Sequence, residues 1–411
     1  MTRSLSAILL VLPPVLMGWA TGCQQDQNQN IPNRVLDRPT DVVLVCADRL
    51  CEDLDGDGSK ETCQAVMQPL DVCSLDTGSC GSDNPHVIGF VANSERNEVA
   101  MFTKCANRLV DLDVETPGYN FVPTGILPTS LAATSNGCRV YSANVGSCDL
   151  SLIDAQGLAP YGISLDPAQD EPSTLVSQIL PRRFDELAGI WRPLGARPGE
   201  IIAVPTSLST APQIEPGTTL DPNCDPRSSG SVYVSFPTCN LVAEIDVLSG
   251  NILQSRQFVA DDEGGITLVD TGLSPACPVE CPAQFVDGLP GDLPSVDQDG
   301  PFPQALQLLV PPTLPDGAEN EPAYDGERAI DSRSLFVGGL GSDTLIEIGI
   351  DEDGQWRPQN NALTLADSGG IKRIRISPAA TRSGGLPGGT SKYIQFLYVV
   401  AGDGSTRVVG R

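Results

Sequence analysis

Five stretches of this chain repeat one 16-residue template, and that repetition limits the possible folds more than any other feature. They run Ile88 to Thr103, Arg139 to Asp154, Ser231 to Asp246, Ser334 to Gly349 and Phe396 to Arg411. The third position is aromatic each time: Phe90, Tyr141, Tyr233, Phe336 and Tyr398. The tenth is small or turn-forming (Asn97, Cys148, Asn240, Asp343 and Ser405), and apolar residues alternate from there to the end. A period of two is the mark of a strand with one buried face, and a turn residue between two such runs makes an antiparallel hairpin. The aromatic is expected to pack between neighbouring sheets. The chain carries 41 Gly and 35 Pro and has no long run at helical period, so it reads as all-β. Only Arg182 to Trp191 hints at a short helix.

Most of these hairpins follow another short strand. Pro128 to Ala133 precedes the second, and Glu200 to Val204, Gln304 to Val310 and Ile371 to Ile376 hold the equivalent place in later units. Long Pro/Gly-rich insertions, Pro205 to Gly230, Pro311 to Arg333 and Ser377 to Gln395, then lead into the hairpins. Insertions at one point of a repeat map to one face of the array. The template starts are unevenly spaced, beyond the ~40–50 residues of common propeller repeats, so either the insertions are long or degenerate units hide between them. The last hairpin also needs its edge paired. Strand Val42 to Val45 could close the ring, or the array is incomplete and the chain is a fragment, which is the expectation taken here.

Pro128 to Asp154, ending RVYSANVGSCDLSLID, resembles the YVTN-type β-propeller repeat. Val232 to Gly250, with its Asp246-Val247-Leu248-Ser249-Gly250 turn, is similar to the same repeat. The resemblance spans roughly residues 85–411, closely in two units and more loosely in three. It implies a propeller-like array of antiparallel blades and names no function.

The N-terminus addresses the compartment. Arg3 precedes an apolar stretch, Leu5 to Trp19, that is too short to span a bilayer and is broken by Pro13-Pro14, so residues 1–22 read as a signal peptide. Ala20-Thr21-Gly22-Cys23 resembles the lipobox of bacterial lipoproteins, departing from it at Ala20 where Leu is usual. The resemblance implies cleavage before Cys23, lipid on its sulfur, and, with Gln24 following, the outer membrane. Three acyl chains would anchor stably. Residues 23–34 read as a polar tether and 35–84 as a Cys-rich segment. Apart from Cys23, twelve cysteines remain, and in an exported chain an even number favours disulfides. Zinc is disfavoured by the absence of any Cys-x-x-Cys pair and by a single histidine, His86. Connectivity stays open, although Cys277 and Cys281 are an attractive near pair.

One local motif suggests a cation. Asp53, Asp55, Asp57, Ser59 and Glu61 place oxygens at alternate positions, with Gly58 at the sixth, as hard Ca2+ requires. Position twelve is Gln64, and Cys51 and Cys63 flank the loop in place of helices. A solvated acidic turn is the competing reading. Catalysis of the Ser-His-Asp or Cys-His kind needs an imidazole beside the nucleophile, and His86 reads as a loop residue before the first hairpin. Gly338-Gly339-Leu340-Gly341 lies in a hairpin with no helix after it, against phosphate binding of the nucleotide-loop type.

The net charge of -27 repels nucleic acid and anionic membrane surfaces. The expected function is therefore a non-enzymatic envelope or surface lipoprotein, held to the membrane by its anchor, whose propeller binds or scaffolds a protein or glycan partner. The alternative is a calcium-dependent propeller hydrolase of lactonase type. The repeats show no carboxylate set at matching positions of successive units, which its central site would need. A structural role in envelope assembly is a third reading.

Overall fold

The computed structural model describes residues 36–52, 62–73, 85–105, 108–111, 121–162, 176–205, 208–211, 224, 230–260, 266–281, 300–310, 333–377, 380–382 and 392–410. They form a five-bladed β-propeller of antiparallel sheets. Each 16-residue template supplies the second and third strands of one blade. The pairs are His86–Asn93 with Glu98–Cys105, Arg139–Asn144 with Asp149–Asp154, Ser231–Phe236 with Leu241–Asp246, Arg333–Gly339 with Ser342–Ile350, and Phe396–Ala401 with Thr406–Gly410. No degenerate blade lies between them among the described residues; the uneven spacing comes from insertions and from an extra hairpin between blades 2 and 3.

The inner strands are Pro39–Glu52, Pro128–Ala133, Ile201–Ala203, Pro303–Leu309 and Ile371–Ile376. The first belongs to blade 1, pairing Val42 to Val91 and Val45 to Ile88. Strand 42–45 therefore lines the channel in blade 1 and does not complete the last sheet. Strand Pro39–Glu52, inside the Cys-rich segment 35–84, is thus paired into the first sheet. His86 opens a strand and is not a loop residue.

Turn chemistry sets the hairpins. Asn97, Cys148 and Asn240, each at the tenth template position, take left-handed backbone (φ 58°, 55° and 49°), a region that Asn tolerates better than most residues. Arg182 to Trp191 is a hairpin, Arg182–Asp185 against Ile190–Pro193, and not a helix. The Asp185 carboxylate accepts the Leu187 and Ala188 N–H groups, and Gly189 supplies the left-handed residue (φ 65°), so the turn overrides the helical spacing. The helix among the described residues is Ala155–Gly162, with the Gly157 N–H capped by Asp154 at 3.0 Å. No described helix is long and apolar enough to cross a membrane.

Four apolar clusters join successive blades. Phe90 packs into the blade 1–2 cluster, Tyr141 into 2–3, Tyr233 into 3–4 and Phe336 into 4–5. Each aromatic is nearly or fully buried, contributing roughly 1.5–3 kcal/mol. The expectation fails for Tyr398, which is 40 % exposed. Its blade faces blade 1, and there the contact is polar, so the aromatic has no apolar sheet to cover it.

Four disulfides lie among the described residues: Cys46–Cys73, Cys138–Cys224, Cys148–Cys281 and Cys239–Cys277. The near pair Cys277 and Cys281 does not bond to itself. Each of its members reaches a hairpin turn of a different blade.

Candidate binding site at the mouth of the central channel

The inner strands share a start that the hairpin template does not reveal. Pro39-Thr40-Asp41, Pro128-Thr129-Ser130 and Pro198-Gly199-Glu200 put a polar side chain two residues after a proline, at the same end of three blades. Asp41 Oδ2 accepts the Leu131 N–H of blade 2 (2.9 Å) and Ser130 Oγ (3.4 Å). Ser130 Oγ in turn accepts the Ile201 N–H of blade 3 (3.3 Å). Glu200 Oε2 accepts the Leu306 N–H of blade 4 (2.7 Å), while its Oε1 meets Arg375 Nη1 of blade 5 (2.9 Å). Arg373 returns to blade 1, donating to Asp41 Oδ1 (3.2 Å) and to the Thr40 carbonyl (3.3 Å). A circuit of side chains thus links all five blades around the channel. Two carboxylates, Asp41 and Glu200, stand at matching positions of the circuit, with Ser130 between them, so successive blades carry no carboxylate set. The two sit on blades 1 and 3, and each faces a guanidinium.

Burial raises the Glu200 carboxyl above its ordinary value, outweighing the opposing pull of Arg375 and of the Leu306 N–H.

Above this circuit lies a cavity of about 280 Å3, reached from the end where the inner strands begin. Its wall includes Thr129 and Ser130 of blade 2, Arg197 to Glu200 and Thr238 of blade 3, Gln304 of blade 4, and Lys372 and Arg373 of blade 5. Gly199 lets blade 3 close on its own hairpin turn: a Cβ there would stand 2.7 Å from Ser235 Oγ and 3.0 Å from Pro237.

A strap fixes the rim. Segment 274–281 is held by disulfides to the hairpin turns of blade 2 (Cys148) and blade 3 (Cys239). Within it, Glu280 Oε2 accepts the Arg197 N–H (2.9 Å) and the Thr238 hydroxyl. The Glu280 N–H donates to the Gly195 carbonyl (2.9 Å). The mouth is therefore built on covalently restrained backbone. The inner strands of blades 3, 4 and 5 end at Ala203, Leu309 and Ile376, at the opposite end from this mouth.

Cys23 and the proposed calcium ligands Asp53, Asp55, Asp57, Ser59 and Glu61 lie outside the described residues. Among the described residues, no cluster of His, Cys, Asp and Glu could hold a metal ion. What sequence reading missed, the circuit and the rim cations, had one legible signal, the Pro-x-polar start repeated at 39, 128 and 198.

Fold and site together define a five-bladed propeller with a cationic, disulfide-framed channel mouth. No family model matches the chain, and no curated protein matches it. Among solved structures it is similar to a putative 6-phosphogluconolactonase from Bacteroides fragilis, at 11% identity over 90% of this chain and 82% of that one, with a TM-score of 0.32. It is similar also to hydrazine synthase from Kuenenia stuttgartiensis (13%, 87% and 69%, 0.31) and to the periplasmic gluconolactonase of Pseudomonas aeruginosa (11%, 90% and 83%, 0.25). At these scores the propeller assignment stands on the chain's own sheet order.

Proposed function

We propose that this chain is an exported lipoprotein, anchored through Cys23 in the cell envelope, whose propeller is a non-catalytic binding module with the channel mouth as its ligand face. One observation carries the reading. Both inner-strand carboxylates are already committed, Asp41 to Arg373 and the Leu131 N–H, Glu200 to Arg375 and the Leu306 N–H. Turning either carboxylate toward a cation or a substrate would give up these contacts, whereas the mouth retains donors suited to holding a ligand. The alternative, a calcium-dependent hydrolase of lactonase type, requires one of these carboxylates to release its guanidinium. The anchor motif, the disulfides and the polar tether support placement outside the cytoplasm.

Thermal melts of the oxidised protein against panels of neutral sugars, small acids and lactones test this reading. Gln304 is exposed at the mouth, so Gln304→Trp fills the cavity without removing a buried contact. A ligand is expected to raise the Tm of the wild type alone and to be recovered unchanged. Steady conversion of a lactone, abolished by Glu200→Gln, would establish the hydrolase instead.

A further inference from the structure

The chain carries 25 Lys+Arg against 52 Asp+Glu, yet its channel mouth gathers three cations around one carboxylate. That carboxylate, Glu200, is matched by Arg375, and Arg373 is matched by Asp41. Two cations are left over beside one rim carboxylate, Glu280, whose Oε2 is taken by the Arg197 N–H and the Thr238 hydroxyl. Arg197 is exposed and its guanidinium makes no ion pair among the described residues; the Lys372 ammonium donates to a neutral acceptor, the Gly402 carbonyl, at 2.9 Å. On so acidic a surface, unmatched cations in a concavity focus a local positive field.

We infer that the mouth takes a small free oxyanion, a carboxylate or phosphate on a molecule of about hexose size. Arg197 and Lys372 are its charge partners and the Gln304 amide is an uncharged donor. This deepens the binding-module reading and rests on it. The guanidinium fork matches the paired oxygens of either group. A cavity near 280 Å3 lies at the small end of ligand pockets, which excludes a bulky polymer from its interior. Preorganisation supplies the remaining support. The Arg197 N–H is tied to Glu280, and Glu280 sits on the strap that two disulfides hold to blades 2 and 3. The cation is thus presented from fixed backbone, which lowers the ordering cost of binding.

The test is calorimetric titration of the oxidised full chain at low salt with citrate, inorganic phosphate and glucose. The double variant Arg197→Gln/Lys372→Gln removes both charges from exposed positions, so its melt should match the wild type. Arg183→Gln, on the hairpin and outside the cavity lining, is the control. Citrate or phosphate is expected to bind saturably, to weaken at least about tenfold in the double variant and in raised salt, and to be unaffected in the control. Equal anion binding by wild type and double variant, or no anion binding at all, overturns the inference. Glucose binding that Gln304→Trp abolishes, with neither anion bound, overturns the oxyanion while leaving the binding module standing.

Discussion

Removing the Asp41 side chain should loosen both junctions of the first blade, with blade 2 and with blade 5, and the size of the loss follows from what the carboxylate touches. Asp41→Ala orphans the Leu131 N–H, on a residue only 4 % exposed, and removes an acceptor from Ser130. A buried unsatisfied donor costs about 1–3 kcal/mol. Arg373, with a side chain 40 % exposed, rehydrates, so its ion pair adds about 0–1 kcal/mol. The expected loss is about 3 kcal/mol. For the roughly 375 residues from Leu36 onward, an unfolding entropy of about 0.8 kcal/mol/K makes this a fall of about 4 °C in Tm. Asp41→Asn keeps an oxygen for the Leu131 N–H and loses only the charge, so it should fall by about 1 °C. Calorimetric melts of the two variants and the wild type make the comparison. Equal melting of Asp41→Ala and Asp41→Asn would refute the claim that the backbone donor, not the ion pair, carries the junction.

Glu200 should leave a signature in pH. Its folded value is raised above the ordinary 4.5, so its contribution is fully present below that value and is lost as pH rises through the folded one. Lowering pH from neutral to 4.5 should therefore stabilise wild type relative to Glu200→Gln, and parallel stability curves over that range would contradict this. Replacing Cys148 and Cys281 by Ser together frees one end of the rim strap; a loss of about 2–5 kcal/mol in chemical denaturation is expected, with weakened mouth binding beyond it. For the acidic loop, calcium at about a hundred times its Kd should stabilise wild type by about 2.7 kcal/mol and leave Asp55→Ala/Asp57→Ala unmoved; identical melts in calcium and chelator would remove the site.

The hairpins were legible because strand alternation is a local signal. Phe90, Tyr141, Tyr233 and Phe336 each announce a face that a neighbouring blade buries. What stayed hidden is joined across long separations. Arg373 meets Asp41 across 332 residues and Arg375 meets Glu200 across 175, so neither pairing leaves a pattern within any one repeat. The strap is similar: Cys281 and Cys277 bond 133 and 38 residues back, while their closeness in sequence points to each other. Tyr398 failed for a topological reason, since its template matches the rest but the seam it faces is polar. At Arg182 to Trp191, Asp185 and Gly189 were the turn signals, and they outweighed apolar spacing over so short a stretch.

The most direct measurement is the structure of the oxidised protein crystallised with citrate or phosphate. Five blades are expected, with Arg373 facing Asp41 and the anion seated at the mouth on Arg197 and Lys372. A ring parted at that seam, or an anion held only by the arginines of the Arg182–Pro193 hairpin, would contradict this expectation.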